Sequence, residues 1–154
     1  MKTRIIVLTL AVVLVAASAC FAQDPQLGTW KLNAAQSKIA NGVVRNNTVV
    51  YEAAGEQIKV TSDGLNPDGT AARVEWTGKF DGADYAVTGD PNADMRSYKL
   101  ANPNTLDMKG KKGGKLTVTG RIVVSADGKT RTVTTSGTTP QGRKFKSIAV
   151  YDKQ

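Results

Sequence analysis

The chain has 154 residues, with 21 Lys and Arg against 13 Asp and Glu, a formal charge of +8, no histidine and one cysteine. The absence of histidine removes the commonest general base and the commonest metal ligand. A lone cysteine excludes an internal disulfide and a cysteine-rich zinc site.

The first segment reads as an export signal. Lys2 and Arg4 precede an apolar run from Ile5 to Ala17, broken only by Thr9, and small residues follow at Ala16, Ala17, Ser18 and Ala19. That is the three-part layout of a secretory signal peptide. The run is short for a membrane span, which takes about 20 apolar residues, although an uncleaved anchor is a further alternative. Cleavage after Ala22 would leave a domain spanning 23–154, periplasmic or secreted. The other reading takes Ala17-Ser18-Ala19-Cys20 as a lipoprotein box, with Cys20 as a lipid anchor. Loss of Lys2 and Arg4 lowers the formal charge from +8 to +6. Nothing after Gln23 is apolar enough to cross or anchor in a membrane.

The remainder predicts an all-β fold. Short alternating runs rich in Thr, Val and aromatics are separated by Gly, Asp, Asn and Pro, with no helical periodicity. Strands are expected at roughly 27–33, 43–53, 56–62, 71–80, 84–88, 95–101, 104–109, 115–125, 129–138 and 143–152. Turn signals stand at Asn41-Gly42, Asp63-Gly64, Asp68-Gly69, Asp81-Gly82 and Asp127-Gly128, pairs that supply the positive φ of tight turns. Short connections favour antiparallel neighbours. Leu116, Val118, Gly120, Ile122 and Val124 form one apolar face, against Lys115, Thr117, Thr119 and Arg121. Val74, Trp76, Gly78 and Phe80 form another, against Arg73, Glu75, Thr77 and Lys79. One apolar face per strand, repeated over many strands, describes a single sheet curled around one core: an antiparallel up-and-down β-barrel of about 8–10 strands. Gly78 and Gly120, on those faces, either let a strand bend, leave room for a bulky neighbour or border a cavity.

Two short stretches resemble a known superfamily. Gly28-Thr29-Trp30-Lys31-Leu32 resembles the opening strand of the lipocalin and fatty-acid-binding proteins (calycin-like), and Ala149-Val150-Tyr151-Asp152-Lys153 looks like the last strand of the latter. The resemblance implies that Gly28 and Trp30 close one end of the barrel and that a late-strand arginine, Arg121 or Arg131, covers the indole. The opening, with Asn33 and then Ser37-Lys38, is also similar to uncharacterised exported bacterial proteins. Two departures stand out. About ten residues, Asn33 to Gly42, separate the first two strands, too few for the two-helix lid of fatty-acid-binding proteins. Ala149 also stands where that family carries the arginine of its carboxylate clamp, while Tyr151 is kept.

No constellation specifies a reaction, metal or cofactor. Asp81 and Asp84, and Asp90 and Asp94, flank turns. Leu65 and Pro67 interrupt the calcium-loop-like stretch Asp63–Gly69 where ligands would be needed. Lys109-Gly110-Lys111-Lys112-Gly113-Gly114-Lys115 reads as a solvated hairpin tip; without neighbouring aromatics it does not suggest nucleic acid. Trp76, Phe80, Tyr85, Tyr98, Arg121, Arg131 and Tyr151 are the candidate ligand-binding residues. Three readings stay open. One is a non-catalytic barrel binding a small hydrophobic or amphipathic ligand without a fatty-acid-type clamp. Another is a structural or interaction protein of the cell envelope with a filled barrel, and the third is an enzyme. An interior cavity of about 300 Å3 or more would favour the first.

Overall fold

The structure, a computed structural model, describes residues 24–154. Residues 1–23, where the sequence suggests an export signal and which include Cys20, lie outside the described residues. Ten strands follow: β1 (Gly28–Leu32), β2 (Arg45–Ala54), β3 (Gln57–Leu65), β4 (Ala71–Gly78), β5 (Tyr85–Thr88), β6 (Met95–Asn102), β7 (Thr105–Lys112), β8 (Lys115–Val124), β9 (Thr130–Thr138) and β10 (Lys144–Lys153). Each pairs antiparallel with its sequence neighbours, and β1 closes on β10 through Trp30↔Lys153 and Leu32↔Tyr151. The result is a closed up-and-down barrel, the architecture that alternation and turn chemistry predict. Closure leaves no free edge to template aggregation. A single 3-10 turn, Ala34–Gln36, breaks the loop between β1 and β2.

Local chemistry explains the turns. Asp68, Asp81 and Asp127 each accept a backbone N–H two residues on, from Thr70 (2.9 Å), Ala83 (2.9 Å) and Lys129 (3.0 Å), the Asx-turn pattern. The glycine after each has positive φ. Asp63-Gly64 is different and corrects the sequence expectation. It lies inside β3, opposite a β-bulge at Asn46/Thr48, and a Cβ on Gly64 would fall 1.9 Å from the Arg45 carbonyl oxygen. Glycine is used there for close backbone approach.

Two other expectations change. Leu116 is not on the buried face but is among the exposed large apolar residues. It lies at the start of β8, where a register shift between Gly110 and Lys111 pairs it with Lys111. The lysine-rich segment is mostly strand: β7 runs to Lys112 and only Gly113-Gly114 make the tip.

The barrel has two unlike ends. The turns β2–β3, β4–β5, β6–β7 and β8–β9 gather at one, together with the segment before β1. That segment is a plug. Leu27 N–H donates to Asp24 O (3.0 Å), Gln26 is fully buried, and its Nε2 donates to Asn104 O (3.3 Å). We call this the closed end. The β1–β2 loop and the turns β3–β4, β5–β6, β7–β8 and β9–β10 frame the other end, the mouth.

Candidate functional site

Trp30 organises the closed end. Its ring is fully buried and its Nε1 donates to Gln26 O at 2.9 Å. The Arg131 guanidinium carbon lies 5.7 Å from the ring centroid, and Lys153 Nζ lies 5.1 Å from it. Gly28, at φ +119°, makes the Lys153 placement feasible, since a Cβ there would lie 3.0 Å from Lys153 Cε. The late-strand arginine over the indole is therefore Arg131. Arg121 faces outward, pairs with Asp107 at 2.8 Å and is well exposed; it does not reach the barrel interior.

Trp76, Phe80 and Tyr85 form an aromatic cluster rather than a ligand wall. Trp76 stacks near-parallel on Phe80 (13°) and meets Tyr85 and Tyr98 edge-on at 5.7 and 4.7 Å. Trp76 Nε1 donates to Arg96 O at 3.0 Å. Gly78 makes room for the cluster: a Cβ there would fall 2.5 Å from the Tyr85 ring and 2.6 Å from Trp76. Gly120 is similarly filled, by Met108 and Thr135.

Above these layers lies a cavity of about 130 Å3. Tyr51, Tyr98, Ile122, Arg131 and Tyr151 line its inner part, and Ile39, Val43, Val44, Asp90, Asn92 and Phe145 line it toward the mouth. Of the residues singled out from sequence, Tyr98, Arg131 and Tyr151 thus meet at one cavity. Ala149 borders it too, with no cation in the place of a clamp arginine. A separate hollow of about 520 Å3 lies on the rim between the β1–β2 loop and the β3–β4 turn, sharing Ile39 and Val43 with the cavity wall.

The cavity floor is polar. Arg131 is 3% exposed and packs against three rings, with its guanidinium carbon 4.4 Å from the Tyr51 centroid and 5.7 Å from that of Tyr151. Its Nη2 donates to the Tyr51 hydroxyl at 2.7 Å. Tyr151 donates to the Asn46 carbonyl at 3.1 Å, so its hydroxyl proton is already engaged. Burial pushes the Tyr51 phenol upward, against the opposing pull of Arg131, and raises Tyr151 to about 12 for the same reason. Both remain neutral at ordinary pH. Arg96, on β6, bonds the carboxylate of Asp90, and its Nη1 approaches the Tyr98 hydroxyl at 3.5 Å.

Sequence reasoning passed over Tyr51, Asn46, Asn92 and Arg96. Alternation carried a signal for two of them: Tyr51 shares a face with Val49, and Arg96 with Tyr98. Asn46 had none, because the bulge beside it resets the alternation. Among the described residues, the buried side-chain polar atoms without a partner are Gln26 Oε1, Asn46 Oδ1, Asn92 Oδ1, Arg96 Nε, and Arg131 Nε and Nη1. All but the first belong to residues lining the cavity. Unpartnered buried polar groups are uncommon in native proteins and costly, and five of the six belong to residues around this one space.

No group of three or more potential metal-ligating side chains occurs among the described residues, and no described helix is long and apolar enough to cross a membrane. Comparison with protein families and with curated proteins returned no match. Among solved structures, a redesigned β-barrel, mFAP1, bound to DFHBI, is similar over 84% of this chain and 95% of its own, at 12% identity and a TM-score of 0.42. A likeness of that size carries no argument about a ligand.

Proposed function

We propose that this chain is an exported, non-catalytic barrel of the lipocalin type that holds one small hydrophobic or amphipathic molecule in its interior. The observation that carries the reading is the cavity, with five unpartnered polar atoms on four of its lining residues. Apolar walls with a few fixed polar groups are the usual composition of a small-molecule site. The stacking of Arg131 on Trp30 agrees with what the opening strand's resemblance implies.

Size narrows the cargo. At about 130 Å3 the space is below the roughly 300–1,000 Å3 of drug-sized pockets and close to the ~150 Å3 of an engineered cavity that takes benzene. A long acyl chain does not fit the barrel as it stands. The same shortfall from 300 Å3 is the one observation favouring the structural reading, a structural or interaction protein of the envelope with a filled barrel.

Native mass spectrometry of the protein purified from its own host decides between them. A bound small molecule released on denaturation, and lost in Ala149→Phe, which fills the cavity, supports the proposal. No bound mass, together with no response to small aromatic or aliphatic probes, overturns it. The intact mass in the same experiment separates cleavage after Ala22 from acylation at Cys20.

A further inference from the structure

We propose that the cavity is selective for small organic anions, with the carboxylate of the ligand seated on Arg131 and its apolar body toward the mouth. This rests on the ligand-binding reading above and adds the chemical class.

The argument begins with charge. Two cations, Arg96 and Arg131, line the cavity, and a single carboxylate, Asp90, does so. Asp90 is committed to Arg96. Arg131 is almost wholly buried and no carboxylate pairs with it among the described residues; its one hydrogen-bond acceptor is the neutral Tyr51 phenol. Its Nε and Nη1 have no acceptor at all. Aromatic faces stabilise a guanidinium by cation–π attraction, yet they leave N–H groups without lone pairs to bond. Burying an unpaired charge is expensive, and an anion in the adjoining space would offset that cost. Guanidinium matches a carboxylate in geometry as well as charge.

A second donor stands beside it. The Tyr51 oxygen accepts from Arg131, burial holds that phenol in its protonated form, and the proton, which the neighbouring Tyr98 hydroxyl also attracts, can turn to a stronger acceptor in the cavity. An anion at the floor would therefore meet both a guanidinium and a phenolic O–H.

The approach is also favourable. Lys38, Arg45, Lys112, Lys115, Arg143 and Lys144 stand on the loops and strand ends around the mouth. The acids of the same loops are Asp68, Asp90 and Asp94. Of these, Asp90 is paired with Arg96, and Asp94 accepts the Gly113 backbone N–H at 2.9 Å. A rim with an excess of cations draws anions inward and raises their arrival rate. Between rim and floor, Ile39, Val43, Val44 and Phe145 give the wall an apolar side, beside Asp90 and Asn92.

The test compares benzoate with benzyl alcohol, which share a ring that suits the space and differ in charge. Affinities are measured by calorimetry on the unmodified protein, on Arg131→Met and on Tyr51→Phe. Benzoate should bind at least tenfold more tightly than benzyl alcohol. Arg131→Met should abolish that preference while leaving the alcohol within about twofold, and Tyr51→Phe, which keeps the ring, should weaken benzoate severalfold. Equal affinities of the two probes in the unmodified protein would overturn anion selectivity and leave the ligand-binding reading standing. Absence of binding by either probe would remove both. If Arg131→Met fails to fold, Tyr51→Phe decides: unchanged benzoate affinity there, or a benzoate affinity independent of added formate, counts against seating at this floor.

Discussion

The two ends of the barrel are built from similar strands yet solve opposite problems. At the closed end, Trp30 and Trp76 each place an indole N–H on a backbone carbonyl, and Trp76 nests among Phe80, Tyr85 and Tyr98. One polar atom there, Gln26 Oε1, goes without a partner. Toward the mouth, Asn46, Asn92 and Arg96 leave three such atoms beside an unfilled space, and Arg131, on the floor between the halves, leaves two more. Stability is concentrated where packing is dense and polar groups are satisfied; the other half gives some of it up. Under the proposed function, that division is the expected cost of keeping a site at the expense of an optimal core.

The contrast predicts where substitutions hurt. Trp30→Ala removes the centre of the closed end and should lower stability by about 3–5 kcal/mol, as large aromatic truncations do, read from chemical denaturation midpoints. Unchanged stability would mean that the plug, not the indole, holds this end. Gly64→Ala tests the mouth side by backbone geometry alone. Its new Cβ would fall on the Arg45 carbonyl, and a loss of about 3 kcal/mol, at the upper end of overpacking costs, is expected in the same assay.

The floor between the two halves should show itself in alkali. Tyr151 is raised from an ordinary 10 to about 12, chiefly by burial, and Tyr51 moves the same way. A folded-state value above the unfolded one means that the folded protein keeps its proton when the unfolded chain has lost it. The contribution is therefore intact below pH 10 and is lost as pH climbs from 10 through about 12. The shift of Tyr151 corresponds to roughly 2–3 kcal/mol over that window. Unfolding and tyrosinate absorbance should rise together above pH 10. Ionisation of all tyrosines at the ordinary value in a still-folded protein would contradict a dry floor.

The smallest effect belongs to the outer face. Arg121→Ala removes an exposed pair with Asp107 and should cost under about 0.5 kcal/mol, with ligand affinity unchanged. A larger effect would show that the wall between Arg121 and the cavity is thinner than the register implies.

These residues also show how far sequence reasoning reaches. The ten strands were legible because alternation and Asx turns are local: Asp68, Asp81 and Asp127 announce their turns through bonds that span two residues. Arg121 could have been set aside on the same ground, since it shares the polar face of β8 with Thr117 and Thr119. That Arg131 was the partner of Trp30 needed the closure of β1 on β10 and its register with β9, where Tyr151 faces Arg131. Asn46 and Leu116 lay beyond reach, because bulges at Asn46/Thr48 and Gly110/Lys111 break the parity on which the reading depends.

One seam of the barrel bears on time. β5 has only four residues and joins β4 through Glu75↔Thr88 and Trp76↔Val87, and β6 through Tyr85↔Arg96 and Ala86↔Met95. By contrast, β9 and β10 align over nine residue pairs. Local opening favours the places with few backbone bonds, so this seam is where the wall is expected to part first, held otherwise by the Trp76 bond to Arg96 O and the Val87 bond to Asp94 O. Under the proposed function this seam would give the interior a second outlet besides the mouth, and amide exchange would time it: faster along β5 than along β9 and β10 if the seam breathes.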